Sequence, residues 1–320
     1  FIGSHTVDLL LKKGYQVRVI DNLLGGHRDN IKHNLTNSNF EFKEADINKI
    51  NHLDPIFSNA SLIFHFAGLG DIVPSIEQPL NYMNTNVMGT INILEATRKN
   101  KIQRLVYAAS SSCYGLAKVP TNEDHIIQPM YPYALSKFQG EQAIFHWKNV
   151  YGLFVNSIRI FNAYGTRVKT TGAYGAVFGV FFKQKLTNKP LTIVGDGSQS
   201  RDFVYVTDVA NAFVLAGESE IDGEIFNLGS NNPQTINKLA DMVGGKKIYL
   251  PKRPGEPDCT WADTKKINSK LNWKPNVTFE VGVKKMLEGI NTWKDAPLWE
   301  VESIAKATKT WFKYMRDSKN

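Results

Sequence analysis

The chain has 320 residues, 42% apolar and 21% charged, enough to bury a large core in one or two domains. No apolar run reaches membrane-spanning length, and two cysteines, Cys113 and Cys259, supply neither a disulfide framework nor metal-ligand spacing, so the expectation is a cytoplasmic protein with no membrane contact and no metal. The net charge of +8 is interspersed with acids rather than gathered in a basic block, which argues against nucleic acid and for an anionic small ligand.

"FIGSHTVDLLLKKGYQVRVIDN" opens with a helical stretch over 4–13, a turn at Gly14 and a strand over 16–20 that stops on Asp21. A dinucleotide-binding unit runs strand, glycine loop, helix, strand, acid; its later parts are here and its first strand is not. Gly3 reads either as a plain helix-start glycine or as the last glycine of a phosphate loop. Asp21 reads either as a turn residue or as the carboxylate that accepts both hydroxyls of an adenine ribose, which favours NAD over NADP. Further strands are predicted at 40–43, 62–66, 105–109 and 154–160, with helices over 80–99 and 133–150. This alternation predicts an α/β doubly wound parallel sheet covered on both faces. Beyond 164 the alternation fails. The expected division is a dinucleotide-binding domain over 1–164 and a smaller α/β substrate-binding domain over 165–320, partly interleaved with the first. Over 299–315, Val301, Ile304, Ala305, Phe312 and Met315 recur at helical spacing, as in a docked amphipathic helix.

"AASSSCYG" (108–115) ends a strand with three hydroxyls, where open α/β sheets place their ligands. "YPYALSKFQGEQ" sets Tyr133 and Lys137 four apart on one helical face. A phenol with an ordinary pKa of about 10 needs a cation nearby to serve as a base at neutral pH. Lys137 and a positive nicotinamide ring would both push that way, leaving roughly half the phenol ionised after a shift of about three units. One strand-end serine, one tyrosine and one lysine make a hydroxyl–ketone redox site.

With "FIGSH", "VIDN", "EADI", "HFAG", "NTNVMGT", "AASSSCYG", "YPYALSK", "RIFNAYG", "VGDGSQSRDFVYVTDVA", "NLGS" and "RPGEPDCTWAD" in order, the chain resembles the extended short-chain dehydrogenase/reductases of the NAD-dependent nucleotide-sugar epimerase/dehydratase family, near the UDP-hexose 4-epimerases. The resemblance implies a Rossmann fold, NAD as cofactor, a UDP-sugar substrate and a homodimer formed through the helices near 80–99 and 133–150. It puts Gly3 at the phosphate loop, Asp21 and Asn22 at the adenosine ribose, Asp46 and Ile47 at the adenine edge, and Phe66, Ala67 and Gly68 beside the pyrophosphate. Asn86 takes the family's active-site asparagine position. Ser110, Tyr133 and Lys137 take the catalytic positions, the last two also touching cofactor. Asn162, Arg201, Arg253 and Glu256 match residues that grip the nucleotide diphosphate and its ribose.

Dehydratases of this kind follow the catalytic hydroxyl with Asp-Glu, and decarboxylases carry a Glu there. Here Ser111 and Ser112 stand instead, so a 4-keto intermediate is expected only to take hydride back on its other face, which is C4 epimerisation. Thr260 falls where family members gauge sugar size, and a small residue there is expected to admit N-acetylhexosamine; a UDP-hexuronate 4-epimerase and a lyase are the alternatives. The resemblance also implies that a central strand is missing between the strands at 17–20 and 62–66. The expectations are that the sequence is a piece of a longer product and binds NAD poorly by itself.

Overall fold

In the computed structural model, which describes residues 1–170 and 177–315, helix α1 (Ile2–Lys12) leads into strands β1 (Val17–Asp21), β2 (Phe40–Glu44) and β3 (Leu62–His65). Helices α2 (Ile72–Glu77), α3 (Pro79–Met83) and α4 (Gly89–Lys99) precede β4 (Arg104–Ser110), α5 (Pro132–Tyr151) and β5 (Phe154–Ile160). Then come β6 (Asn162–Tyr164), α6 (Val177–Leu186), β7 (Leu191–Val194), β8 (Ser200–Arg201), β9 (Phe203–Tyr205), α7 (Val206–Glu218) and β10 (Ile225–Leu228). The chain continues through β11 (Gln234–Thr235), α8 (Ile236–Val243), β12 (Lys247–Leu250), α9 (Lys265–Leu271), α10 (Phe279–Glu288) and α11 (Val301–Tyr314).

Strands β4 and β5 are buried almost end to end, as expected of central parallel strands covered on both faces. They sit in a four-stranded parallel sheet of order β10-β5-β4-β3. Helices α4 and α5 cover one face, and α7, itself packed on α1, covers the other. This is an α/β Rossmann-type arrangement. Strand β10 comes from the second half of the chain and pairs with β5, so the two halves share one sheet.

Strands β1 and β2 pair with each other in parallel, and β1 forms no ladder with β3. Between them runs a cleft of about 1270 Å³, walled by Val17–Asp21 on one side and Leu62–His65 on the other. The resemblance places a strand here, and none lies there among the described residues.

The helix predicted over 80–99 is not one uniform helix. Residues Asn84–Met88 form a π-helical turn between α3 and α4. Gly89 follows it, packed so close that an added Cβ would lie 2.5 Å from Ile47 Cδ1. Helix–loop spacing at that point comes from tertiary packing, which a periodicity reading does not contain. The tail helix appears as α11, burying Ile304, Thr308 and Trp311.

Outside the main sheet, short pairs β7–β12, β6–β9 and β8–β11 surround an aromatic core. Tyr164 stacks on Phe178 at 4.9 Å and meets Phe203, Tyr205 and Phe279 at 5.8, 5.3 and 5.8 Å. Offset and edge contacts of this kind add to plain apolar burial.

Candidate functional site

Strand β4 ends on Ser110, whose Oγ accepts the Ser112 N–H at 3.2 Å and so caps the 3-10 turn Ser111–Tyr114. Helix α5 opposite begins with Pro132 at its first turn, where the missing N–H costs nothing, and ends on Gly152 in a left-handed conformation. Tyr133 and Lys137 thus occupy its first two turns. The Ser110 hydroxyl lies near enough to the Tyr133 phenol to lower its pKa. Its ring stacks on Tyr131 at 6.3 Å with 10° between planes and meets Tyr82 edge-on at 6.4 Å. Lys137 is 6% exposed, its Nζ 4.3 Å from the centre of the Tyr107 ring. The three candidate reacting residues line one cleft.

The chain's own residues work against ionising this phenol, which leaves the expected shift to the positive ring of a bound nicotinamide. Burial pushes the Tyr133 phenol above its ordinary range, and the Ser110 hydroxyl opposes this without overcoming it. Burial also drives Lys137 down to about 7, against the pull of Glu141. Desolvation penalises phenolate and ammonium alike and is the largest influence on both. His65, behind the pair, falls to about 3 through burial and then Lys137, so it is neutral and shares a 2.9 Å hydrogen bond with Thr90.

Glu141, one turn beyond Lys137, forms a buried pair with Arg159 of β5, at 2.5 Å and each side chain 3% exposed. Glu141 also accepts from Ser157, and Arg159 donates to the Tyr114 hydroxyl at 2.7 Å. These bonds bolt α5 to β5 and the loop after β4. Gly140 sets the spacing: an added Cβ would collide with the Tyr107 hydroxyl and come within 2.9 Å of the Asn86 carbonyl. Gly140→Ala is therefore expected to cost about 1–3 kcal/mol, read as a lower melting temperature. An unchanged melting temperature would mean the helix does not sit this close.

On the cofactor side, Gly3, Asp21, Asn22, Ile47, Phe66, Ala67 and Gly68 all line the cleft. Asp21 accepts the Leu23 N–H at 2.7 Å, and the turn at Gly26 comes so near that a Cβ would lie 2.9 Å from its Oδ2. The Asn22 amide oxygen accepts from Leu24. Gly3 sits in the first turn of α1, where a Cβ would meet Phe66 only at 3.6 Å, so nothing within the chain demands a glycine there. The first turn of α1 has no side-chain cap, leaving its amides for an anion. Gly68 faces Lys137, 3.6 Å from the position of a Cβ to Nζ. A ribose-seeking carboxylate, helix-start amides and a lysine facing a glycine loop fit a nicotinamide dinucleotide.

Two candidates lie off the cleft wall. Asp46 accepts from Asn48 at 2.9 Å, closing its own turn. Asn86 is fully buried in the π turn, where its amide accepts from Leu69 N–H at 2.8 Å and donates to Leu69 O at 3.0 Å and Ser136 Oγ at 2.9 Å. It clamps the loop after β3 onto α5, and Gly68 leaves it room.

On the other wall, Asn162, Arg201, Arg253, Glu256 and Thr260 converge from 162 to 260 in sequence. Glu256 bridges the arginines, 2.8 Å from Arg201 and 3.7 Å from Arg253. Thr260 donates to Asn162 Oδ1 at 2.7 Å. Asp202, which no pattern singled out, holds this wall together. It is fully buried and accepts from Ser230, Asn231 and Ala262 backbone N–H groups at 2.7, 3.2 and 2.9 Å. Tyr131 and Trp311 also line the cleft without having been anticipated.

Residues 1–286 match the family model described as GDP-mannose 4,6 dehydratase. The chain belongs to this family. A Methanocaldococcus jannaschii protein provisionally named UDP-glucose 4-epimerase is 37% identical over 296 residues, spanning 90% of this chain and 94% of its own. Among solved structures, the UDP-glucose 4-epimerase of Thermotoga maritima with UDP-glucose superposes with a TM-score of 0.84 at 32% identity, covering 91% of this chain and 96% of that one. The UDP-glucuronic acid 4-epimerase of Bacillus cereus with UDP-glucuronic acid and NAD gives 0.85 at 30% identity with the same coverages of 91% and 96%.

Proposed function

We propose that this NAD-dependent UDP-sugar 4-epimerase interconverts UDP-glucose and UDP-galactose, with Ser110, Tyr133 and Lys137 at the reacting centre. The observation carrying this reading is the cleft that joins those three residues to Arg201, Arg253 and Glu256, with Ser111 and Ser112 where an elimination would need a carboxylate pair. NAD, held by the cleft residues around Gly3, Asp21 and Gly68, would supply a hydride acceptor for sugar C4 and a positive ring beside the phenol. Ser110 holds the 4-oxygen, and Tyr133 takes and returns its proton. Lys137 stabilises the phenolate and orients the cofactor ribose beside Gly68. Asp21 and Asn22 hold the adenosine ribose, Gly3 the pyrophosphate, Phe66 and Ala67 flank it, and Asp46 and Ile47 border the adenine. The forked guanidinium of Arg201 and that of Arg253 meet the substrate diphosphate, with Glu256 on the uridine ribose.

A neutral sugar is favoured over a hexuronate. Asp71 lines the cleft near enough to raise the Tyr133 phenol, so a second carboxylate at that end would meet like charge. Thr260, small and turned onto Asn162, supports tolerance of an N-acetyl group. The enzyme is proposed to be a cytoplasmic homodimer joined through α3, α4 and α5, where Leu80, Met88 and Leu135 are exposed.

Incubation with NAD and UDP-glucose, UDP-N-acetylglucosamine or UDP-glucuronate, with products resolved, tests this. The galacto-epimer from the first two and little from the third is expected. Exclusive use of the hexuronate would overturn the substrate, and a 4-keto-6-deoxy or pentose product would overturn the reaction class.

A further inference from the structure

Helix α11 lies beyond residues 1–286, the stretch shared with the family, yet its last turn reaches the cleft. Trp311 is 4% exposed, and three contacts meet on it. Its indole N–H donates to the Pro254 carbonyl at 2.8 Å. The Arg253 guanidinium sits 5.8 Å from its ring centre. The ring of Tyr131 lies 6.1 Å from the indole, and Tyr131 in turn stacks on Tyr133. The helix is fastened elsewhere on the body: Thr310 donates to Glu77 of α2 at 2.9 Å, and a capping box of Glu300 and Ser303 starts it. Met315, just past its end, packs against the loop glycine Gly255, whose φ is +68°.

We propose that Trp311 is a positioning residue for nucleotide-sugar binding, holding the Arg253–Glu256 loop over the cleft from a helix that the family match does not include. The loop carrying Arg253 has no helix or strand of its own between β12 and α9. Glu256 and the indole face both bear on the direction of Arg253. An aromatic face attracts a guanidinium, and the Pro254 bond fixes the backbone one residue away. The role is one of binding: the ring is separated from Tyr133 by Tyr131, so substrate affinity depends on it and the reacting groups do not.

The inference rests on the assignment of Arg253 to the diphosphate, and calorimetric titration of the full chain with UDP separates the two. Trp311→Ala and Trp311→Leu are expected to weaken UDP about tenfold, with Trp311→Phe recovering most of the loss because it keeps the ring face. With UDP-sugar and NAD, KM should rise by a similar factor while kcat stays within about twofold. Phe312→Ala, on the exposed side of the same helix, should bind UDP as the parent does. If Trp311→Ala does not fold, the leucine variant decides. Parent-like UDP affinity in a folded alanine or leucine variant overturns the proposal and leaves the nucleotide-sugar reading intact, as does a parallel fall in kcat that tracks lost folded protein. A parent chain that binds no UDP overturns both.

Discussion

Tyr133→Phe is expected to reduce kcat for UDP-sugar interconversion by roughly 10²–10⁴-fold, the usual worth of a positioned general base, while KM changes little. The variant keeps the ring, and with it the stack on Tyr131 and the edge contact with Tyr82. What disappears is the hydroxyl and its interaction with the nearby Ser110. Fold and UDP affinity should therefore survive, and the rate effect is not a folding effect. The pH profile carries the finer test. Burial raises the Tyr133 phenol, so the phenolate fraction grows as pH rises, while Lys137 loses the ammonium that supports it above about 7; the parent rate should therefore climb toward neutral pH and level off beyond it. That rising limb should vanish in the phenylalanine variant. Undiminished interconversion by Tyr133→Phe would remove the phenol from the mechanism.

Much of this site was legible before any coordinates, for different reasons at different residues. Strand and helix periods located β1 to β5 and the helix bearing Tyr133 and Lys137, because buried parallel strands and a four-residue spacing leave direct marks in the chain. The convergence of Asn162, Arg201, Arg253 and Glu256 left no such mark; no local rule links positions so far apart, and they were named through family resemblance. Asp202 leaves no mark because a carboxylate at a strand end reads as a turn residue until two loops distant in sequence are seen to donate to it. The apolar spacing of the tail announced helix α11 but not where it docks, so Trp311 stayed silent. The acidity of Tyr133 is only partly legible: Lys137 is one turn along the helix and its favourable effect is easily foreseen, whereas desolvation depends on how completely the fold excludes water from both groups.

That desolvation makes Lys137→Met the second large effect, and an opposed one: activity should fall by roughly 10²–10⁴-fold while the protein becomes more stable near neutral pH. In the fold Lys137 titrates at about 7, against an ordinary 10.5. Between those values the unfolded chain binds the extra proton, so the stability of the parent rises with pH by up to about 1.4 kcal/mol per unit. At and below neutrality the whole penalty for burying the ammonium is present; toward pH 10 it is nearly gone. Methionine has a similar length and no charge, so it escapes that penalty and gives up the contact with the Tyr107 ring, worth about 0.5–2 kcal/mol. The stability gap between variant and parent, measured by denaturant titration, should thus be widest at pH 6–7 and close as pH climbs. A variant less stable than the parent at every pH would mean that Glu141 and the Tyr107 face fully compensate the buried charge. The lysine would then be a structural asset, and its retention at the cost of stability would no longer argue for a part in the chemistry.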